Sequence, residues 1–305
     1  MGTPDFAVPC LQALIASHHR VVGVVSQPNR RVGRGRKMSQ TPVAALAEEN
    51  QIPTYQWPRL SNESYQTLTA LRPDLAIVVA YGKILPQRYL DLPRFGCLNV
   101  HSSLLPKLRG AAPIQWAVIH GHQKSGVSIM RLDAGMDTGD VALQSTVEVG
   151  PEETAGHLHD RLATLGADTL MKVVGQIGDG TVTYHPQNHQ EASHAPRLSK
   201  ADGLIDWTRS AQQIHNHIRG MSPWPGAFVA HSAGPIKVHG SRLSQGQGMP
   251  GTIVELAQDG PVIAAAEDAV CLTRLQRPGK RPVTGAEYLR STPLSVGSPF
   301  PGLAR

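Results

Sequence analysis

The run CLNVHSSLLPKLRG, residues 97–110, ends a short apolar stretch with an amide and an imidazole two positions apart. Side chains alternate along a strand, so Asn99 and His101 share one face near the C-terminal end of CLNV. Open α/β sheets bind ligands at that end. An amide N–H aimed at a developing oxyanion, with an acid/base group beside it, is what acyl transfer needs. Spacing alone leaves another account open, two satisfied polar residues closing a strand. The next strand-like run leads into LDAGMDTGD, residues 132–140, with three acids and two glycines. Such a loop brings a carboxylate, here Asp137, against an imidazole on the neighbouring strand. A solvated turn or a divalent-cation loop uses the same residue types, but the calcium-loop spacing and its closing Glu are missing.

The elements that would carry these residues alternate. Residues 21–26, 74–80, 97–100 and 126–132 read as buried strands, and 141–149 as an alternating edge strand. Residues 41–50 and 154–177 read as helices. This order predicts an α/β fold, a doubly wound and mostly parallel sheet. Residues 185–203, HPQNHQEASHAPRLSKADG, are polar and rich in turn formers, the composition of a linker. Beyond them come a helix at 210–219 and short strands at 227–230, 236–238, 251–256, 262–265 and 270–275. Those strands suit a small β-barrel of the oligonucleotide-binding (OB-like) type. The expected domains are 1–188, a linker at 189–203, and 204–305.

Composition narrows the class. The 305 residues are 40% hydrophobic and 17% charged, with no apolar run near the ~20 residues of a membrane span. No secretory signal opens the chain. Cys10, Cys97 and Cys271 are odd in number and lack metal-type spacing, which points to reduced thiols in a cytoplasmic protein. His120 and His122 have metal-like proximity but no further ligand-type residues close in sequence, and they read as a helix end facing solvent. The net charge of +6 is concentrated. Residues 27–37, QPNRRVGRGRK, hold Arg30, Arg31, Arg34, Arg36 and Lys37 with no acid. A second cluster comprises Arg274, Arg277, Lys280 and Arg281. Two separate basic patches suit an extended anion.

NVHSSLLPKLRG followed by DAGMDTGD resembles the folate-dependent formyltransferase family, whose pattern is Asn-x-His, Ser-Leu-Leu-Pro, then Asp-x-Gly-x-Asp-x-Gly. GTPDFAVP, the basic loop, AYGKILP, GAAPIQ, IDW and PWP extend the resemblance over nearly the whole chain, towards members acting on initiator methionyl-tRNA. The resemblance implies that Asn99 hydrogen-bonds the formyl oxygen. His101 would assist as a charged donor or proton shuttle, and Asp137 would hold His101 and relay protons. It implies that Ser103, Leu104, Leu105 and Pro106 line the folate site and that residues 80–86 and 132–138 flank the pterin. The donor would be 10-formyltetrahydrofolate, with no metal. Arg30, Arg34, Arg36 and Lys37 would meet the tRNA acceptor end, and Arg274, Arg277, Lys280 and Arg281 would grip tRNA phosphates. The protein is expected to be a monomer without a membrane partner.

Alternatives are a sugar-nucleotide amine formyltransferase and a non-catalytic RNA-binding protein on the same scaffold. The Arg/Gly loop and the DAGMDTGD spelling count against the first; Asn99, His101 and Asp137 together count against the second. Lys107 and Arg109 suit the folate tail, RNA or plain surface charge, and Trp224 of PWP reads as a turn packed between domains. Asn29 and Arg31 depart from the family's frequent Asp and Pro. The largest departure precedes GTPDF, where family members carry a short apolar strand. Its absence predicts two unpaired sheet edges and an N-terminus truncated relative to the true start.

Overall fold

A computed structural model describes residues 1–32 and 37–301. Its contacts form two units. The first comprises Met1–Gly110, Ser125–Val147 and His159–His194; the second comprises Ala111–Lys124, Glu148–Leu158 and Ala195–Arg305. The second therefore draws two segments from within the stretch that otherwise builds the first. Apolar packing is the reason: Ala112 and Ile119, bracketing the helix Pro113–Ile119, share one buried cluster with Ile214 and Ile218 of the helix Ala211–Gly220.

In the first unit the strands Ala76–Val78, Cys97–His101, Lys124–Arg131 and Val141–Glu148 lie side by side in that order. The first pair is parallel and the second antiparallel. Along Cys97–His101, Leu98 and Val100 are buried on one face and Asn99 and His101 emerge on the other. The long helix Ala155–Gly178 approaches closely because residue 166 is Gly; a Cβ there would meet Val100 Cγ1 at 2.9 Å. A second helix, Pro42–Glu49, starts as its sequence dictates, with Pro in the first turn and the Thr41 hydroxyl accepting from the Ala44 N–H.

The strands expected at 21–26 and 74–80 contract to Val24–Val25 and Ala76–Val78. Among the described strands, Val24–Val25 forms a ladder with Thr54–Tyr55 alone, in parallel. Between the two groups of strands lie Met1 and Gly2. The Gly2 N–H donates to Val25 O (2.9 Å), the Val79 N–H to Met1 O (2.9 Å), and the Met1 amine to Ile77 O (2.6 Å). Behind them the two edges face a cavity of about 610 Å³, lined by Val21, Val22, Leu68, Leu75, Val174 and Ile177 among others. Backbone with a partner on one side only has less ladder to hold it, which accounts for the shortened strands. Burial pushes the Met1 amine down to about 6.

The second unit holds a six-stranded antiparallel sheet in the order Ala227–Val229, Ile236–Ser244, Ala269–Gln276, Gly260–Ala264 and Ile253–Ala257, with Val283–Thr284 paired to Ala269–Gln276. It is the small β domain that the turn-punctuated strands predict. Ile236–Ser244 runs six residues beyond its expected end through irregularities at Val238/Gly240 and Gly240/Ser241. The helix Gly285–Ser291 was not expected; the Thr284 and Glu287 capping box starts it. Trp224 of the PWP turn is 50% exposed.

Candidate active site

Asn99 and His101 sit at the C-terminal end of the strand Cys97–His101, as strand alternation requires. His101 is buried, and its Nε2 lies 3.0 Å from the carbonyl oxygen of Leu108, to which it donates. That bond fixes the ring and leaves Nδ1 as the nitrogen whose proton can come and go. Nδ1 faces Asp137 Oδ1 at 3.7 Å, beyond direct hydrogen-bond reach. The Asp137 side chain is 14% exposed, and its other oxygen accepts from the Gly110 N–H at 2.8 Å. The Asn99 amide is half-buried and makes no side-chain hydrogen bond to another described residue.

The LDAGMDTGD loop is pinned by itself and by its neighbours. Asp133 accepts from the Gly135 N–H (3.0 Å) and from the Thr138 hydroxyl (2.8 and 2.9 Å to its two oxygens). Asp137 adopts φ 54°, the left-handed region that Asp tolerates better than most residues. Gly139 passes against Arg131, whose carbonyl oxygen would lie 1.9 Å from any Cβ. Of the three acids, the fold aims Asp137 alone at the imidazole. The described residues contain no cluster suited to a metal, and the His120–His122 pair stands at a helix end as expected.

The Ser103–Pro106 segment is held from below. Ser128, opposite His101 in the antiparallel pair, donates through Oγ to Ser103 O (2.6 Å) and accepts from the Leu105 N–H (3.1 Å). Gln144 donates to Leu105 O and to Ser128 Oγ, each at 2.8 Å. Ser103 and Leu105 are buried, and the Ser103 hydroxyl is spent on Lys107 O at 2.6 Å. Leu105 and Pro106 border a recess of about 360 Å³. Two exposed apolar side chains, Ile84 (87%) and Met136 (66%), project from the loops expected to flank a pterin. Apolar groups offered to solvent on those loops suit the faces of a planar heterocycle.

Arg109 is neither surface charge nor free for a ligand. It is buried, with Nε and Nη2 donating to Gln187 Oε1 at 3.1 and 2.7 Å. Charge count alone could not reveal this, because the partner lies 78 residues away in a linker-like stretch. Gly110, Leu108, Ser128 and Gln144 were likewise missed, since each acts through a backbone group or a distant register.

Of the basic calls, Arg30 is exposed in the antiparallel hairpin formed by Arg30–Val32 and Lys37–Ser39. Arg34 and Arg36 lie outside the described residues, as does the Lys37 side chain. Gln56 Nε2 fastens the hairpin's root, donating to Gln27 O (2.8 Å) and Asn29 Oδ1 (2.9 Å). Lys83 donates to the carbonyls of Trp57 and Pro58; desolvation, with help from Arg30, holds its pKa below the usual lysine value. In the second unit Arg274, Lys280 and Arg281 are exposed, but Arg277 is half-buried. It lies over the Tyr288 ring (5.1 Å) and donates to Ser291. The fold therefore brings Asn99, His101, Asp137 and Ser103–Pro106 together in one unit, and leaves three of the four C-terminal cations open.

Residues 1–174 match the family model described as "Formyl transferase", and residues 197–293 match "Formyl transferase, C-terminal domain". The chain is 45% identical over 301 residues to the methionyl-tRNA formyltransferase of Alkaliphilus oremlandii, covering 98% of this chain and 97% of that one. It is 40% identical over 300 residues to that of Clostridioides difficile, covering 97% of each. Among solved structures it shares the fold of WlaRD, a sugar 3N-formyl transferase, at TM-score 0.68 and 17% identity, covering 92% of this chain and 97% of that chain. The N-formyltransferase of Helicobacter canadensis superposes at TM-score 0.66 and 19% identity, covering 89% and 96%. With both family models matched in order and relatives aligned over almost the entire length, this chain belongs to the formyl transferase family.

Proposed function

We propose that the chain transfers the formyl group of 10-formyltetrahydrofolate to the methionine amine of initiator methionyl-tRNA, for translation initiation in the cytoplasm. The observation that carries the chemistry is the convergence of an Asn99 amide with no side-chain partner among the described residues, a ring-locked His101 and the Asp137 carboxylate near one strand end. The likeness to methionyl-tRNA formyltransferases over nearly the full length carries the substrate.

When bound, the folate supplies the formyl carbon. The Asn99 amide donates to the formyl oxygen, where negative charge develops during attack by the amine. The amine loses a proton as its bond to the formyl carbon forms, and the folate nitrogen gains one as its bond to that carbon breaks; His101 holds or passes that proton at Nδ1, because Nε2 is committed to Leu108 O. Asp137, held by the Gly110 N–H, takes or returns that proton; the 3.7 Å gap shortens on substrate binding or is bridged by one water. Ile84 and Met136 offer apolar contact to the donor's ring system. Arg30 and the exposed Arg274, Lys280 and Arg281 contact phosphates. For the chemistry, formyl transfer to charged initiator tRNA is measured with wild type, His101→Ala and Asn99→Ala. Each variant is expected to lose at least about 100-fold in kcat, the scale of one lost oxyanion donor or acid/base group. Full activity in either removes that residue's role. For the substrate, wild type that formylates an amino-sugar nucleotide but no tRNA overturns the assignment of acceptor.

A further inference from the structure

Gln187 lies in the polar stretch that reads as the approach to a linker, yet it is 8% exposed and uses its whole amide on the active-site loop and its neighbour. Its Nε2 donates to the carbonyl oxygens of Asp137 (2.9 Å) and Gly139 (2.7 Å). Its Oε1 receives both hydrogen bonds from Arg109, whose Nη2 also lies 3.1 Å from His189 Nδ1. Arg109 is fastened in turn by its backbone N–H to Ser193 O at 2.8 Å. The residue after Arg109 is Gly110, whose N–H holds the Asp137 carboxylate. Asp137 is thus gripped twice from one short segment, at its side chain through Gly110 and at its backbone through Arg109 and Gln187.

That double grip matters because Asp137 occupies the left-handed region, where a non-glycine backbone persists only if its surroundings enforce it. We propose that Gln187, oriented by Arg109, is a positioning residue that sets the Asp137 loop so that Oδ1 faces His101 Nδ1. It touches neither reacting side chain. An amide is the group the place requires: two donors for two carbonyls on one end, and one acceptor for a guanidinium fork on the other. The inference rests on the reading of His101 and Asp137 as the reacting pair.

Gln187→Glu separates positioning from folding. The carboxylate keeps and strengthens the pairing with Arg109, so the buried cation stays satisfied, while both donors to the loop carbonyls are lost. The test is a double-mutant cycle of Gln187→Glu and Asp137→Asn, read by kcat and KM for both substrates, the pH profile of kcat and thermal unfolding. The expected result is a 10- to 100-fold fall in kcat for Gln187→Glu. KM should stay within about twofold, the melting temperature should fall by only a few degrees because two loop carbonyls lose their donors, and the pH profile, read well below that temperature, should move as it does in Asp137→Asn. The double variant is expected to lose no more than Asp137→Asn alone. Multiplicative losses, or a fall in kcat that tracks the melting temperature, would overturn the positioning role while leaving the reacting pair intact. A fully active Asp137→Asn would overturn the reading of the pair and this inference with it.

Discussion

Consider four apolar residues, Val-Ile-Val-Ile, joined ahead of Met1. Gly2 pairs in parallel with Val79, so the added residues would run back opposite Ile77 to Asp74, about 13 Å at the usual strand rise. They would enter the cavity of about 610 Å³ and meet open backbone on both sides. Each buried Val or Ile contributes about 1.5–3 kcal/mol, and fixing its backbone and rotamer costs about the same. What remains is the ladder to two edges, about 1 kcal/mol per hydrogen bond, and relief of the Met1 amine. That amine falls from 8.0 to about 6 on burial. The unfolded chain therefore binds more protons between those values, and stability rises with pH across that window. At pH 7 the cost of releasing the proton is about 1 kcal/mol, and an amide nitrogen at the same place does not incur it. A net gain of about 3–5 kcal/mol corresponds to a melting temperature about 10 °C higher for a unit of this size. Thermal unfolding by circular dichroism at pH 6, 7 and 8 is the assay, against a Ser-Lys-Ser-Lys extension. Equal melting temperatures for the two extensions, with the pH slope between 6 and 8 retained, would refute the reasoning.

Three further outcomes are expected. Gly139→Ala puts a Cβ 1.9 Å from the Arg131 carbonyl, so the loop must shift. About 1–3 kcal/mol of stability and most of kcat should go together, which denaturant titration and single-turnover assays would register. Burial pushes His217 below its usual pKa despite Asp202 and Asp206 nearby, so the unfolded chain protonates first as pH falls through 6.5. Stability should decline below that point, and His217→Gln should flatten the decline in melts at pH 5 to 7; an unchanged slope would acquit His217. Replacing Arg274, Lys280 and Arg281 with Gln should lower the salt dependence of tRNA binding by about 2 in log–log slope without unfolding the protein. Arg277→Gln should instead lower the melting temperature, because that guanidinium covers Tyr288 and caps the helix end at Ser291.

Much of this protein is local in its sequence. Thr41 with Pro42 starts one helix by local capping, Ser210 with Gln213 starts another, and CLNV alternates Asn99 and His101 away from the buried Leu98 and Val100. The motif pair NVHSSLLP and DAGMDTGD carries the resemblance to the family and singles out Asn99, His101 and Asp137 from the sequence alone.

Tertiary structure decided everything that depends on partners far apart in the chain. Composition cannot tell a buried arginine from a solvated one, and Arg109 is fixed by Gln187 from 78 residues away. Nor can it tell that Arg277 is occupied while Arg274, Lys280 and Arg281 are open. Residue 187 looked like part of a linker because polar, turn-forming sequence is read by what it fails to bury. The fold instead buries its amide, since two loop carbonyls and a guanidinium there need partners that water does not provide. Periodicity and capping act over a few residues and so can be read along the chain, whereas the satisfaction of buried polar groups is settled only when distant segments meet.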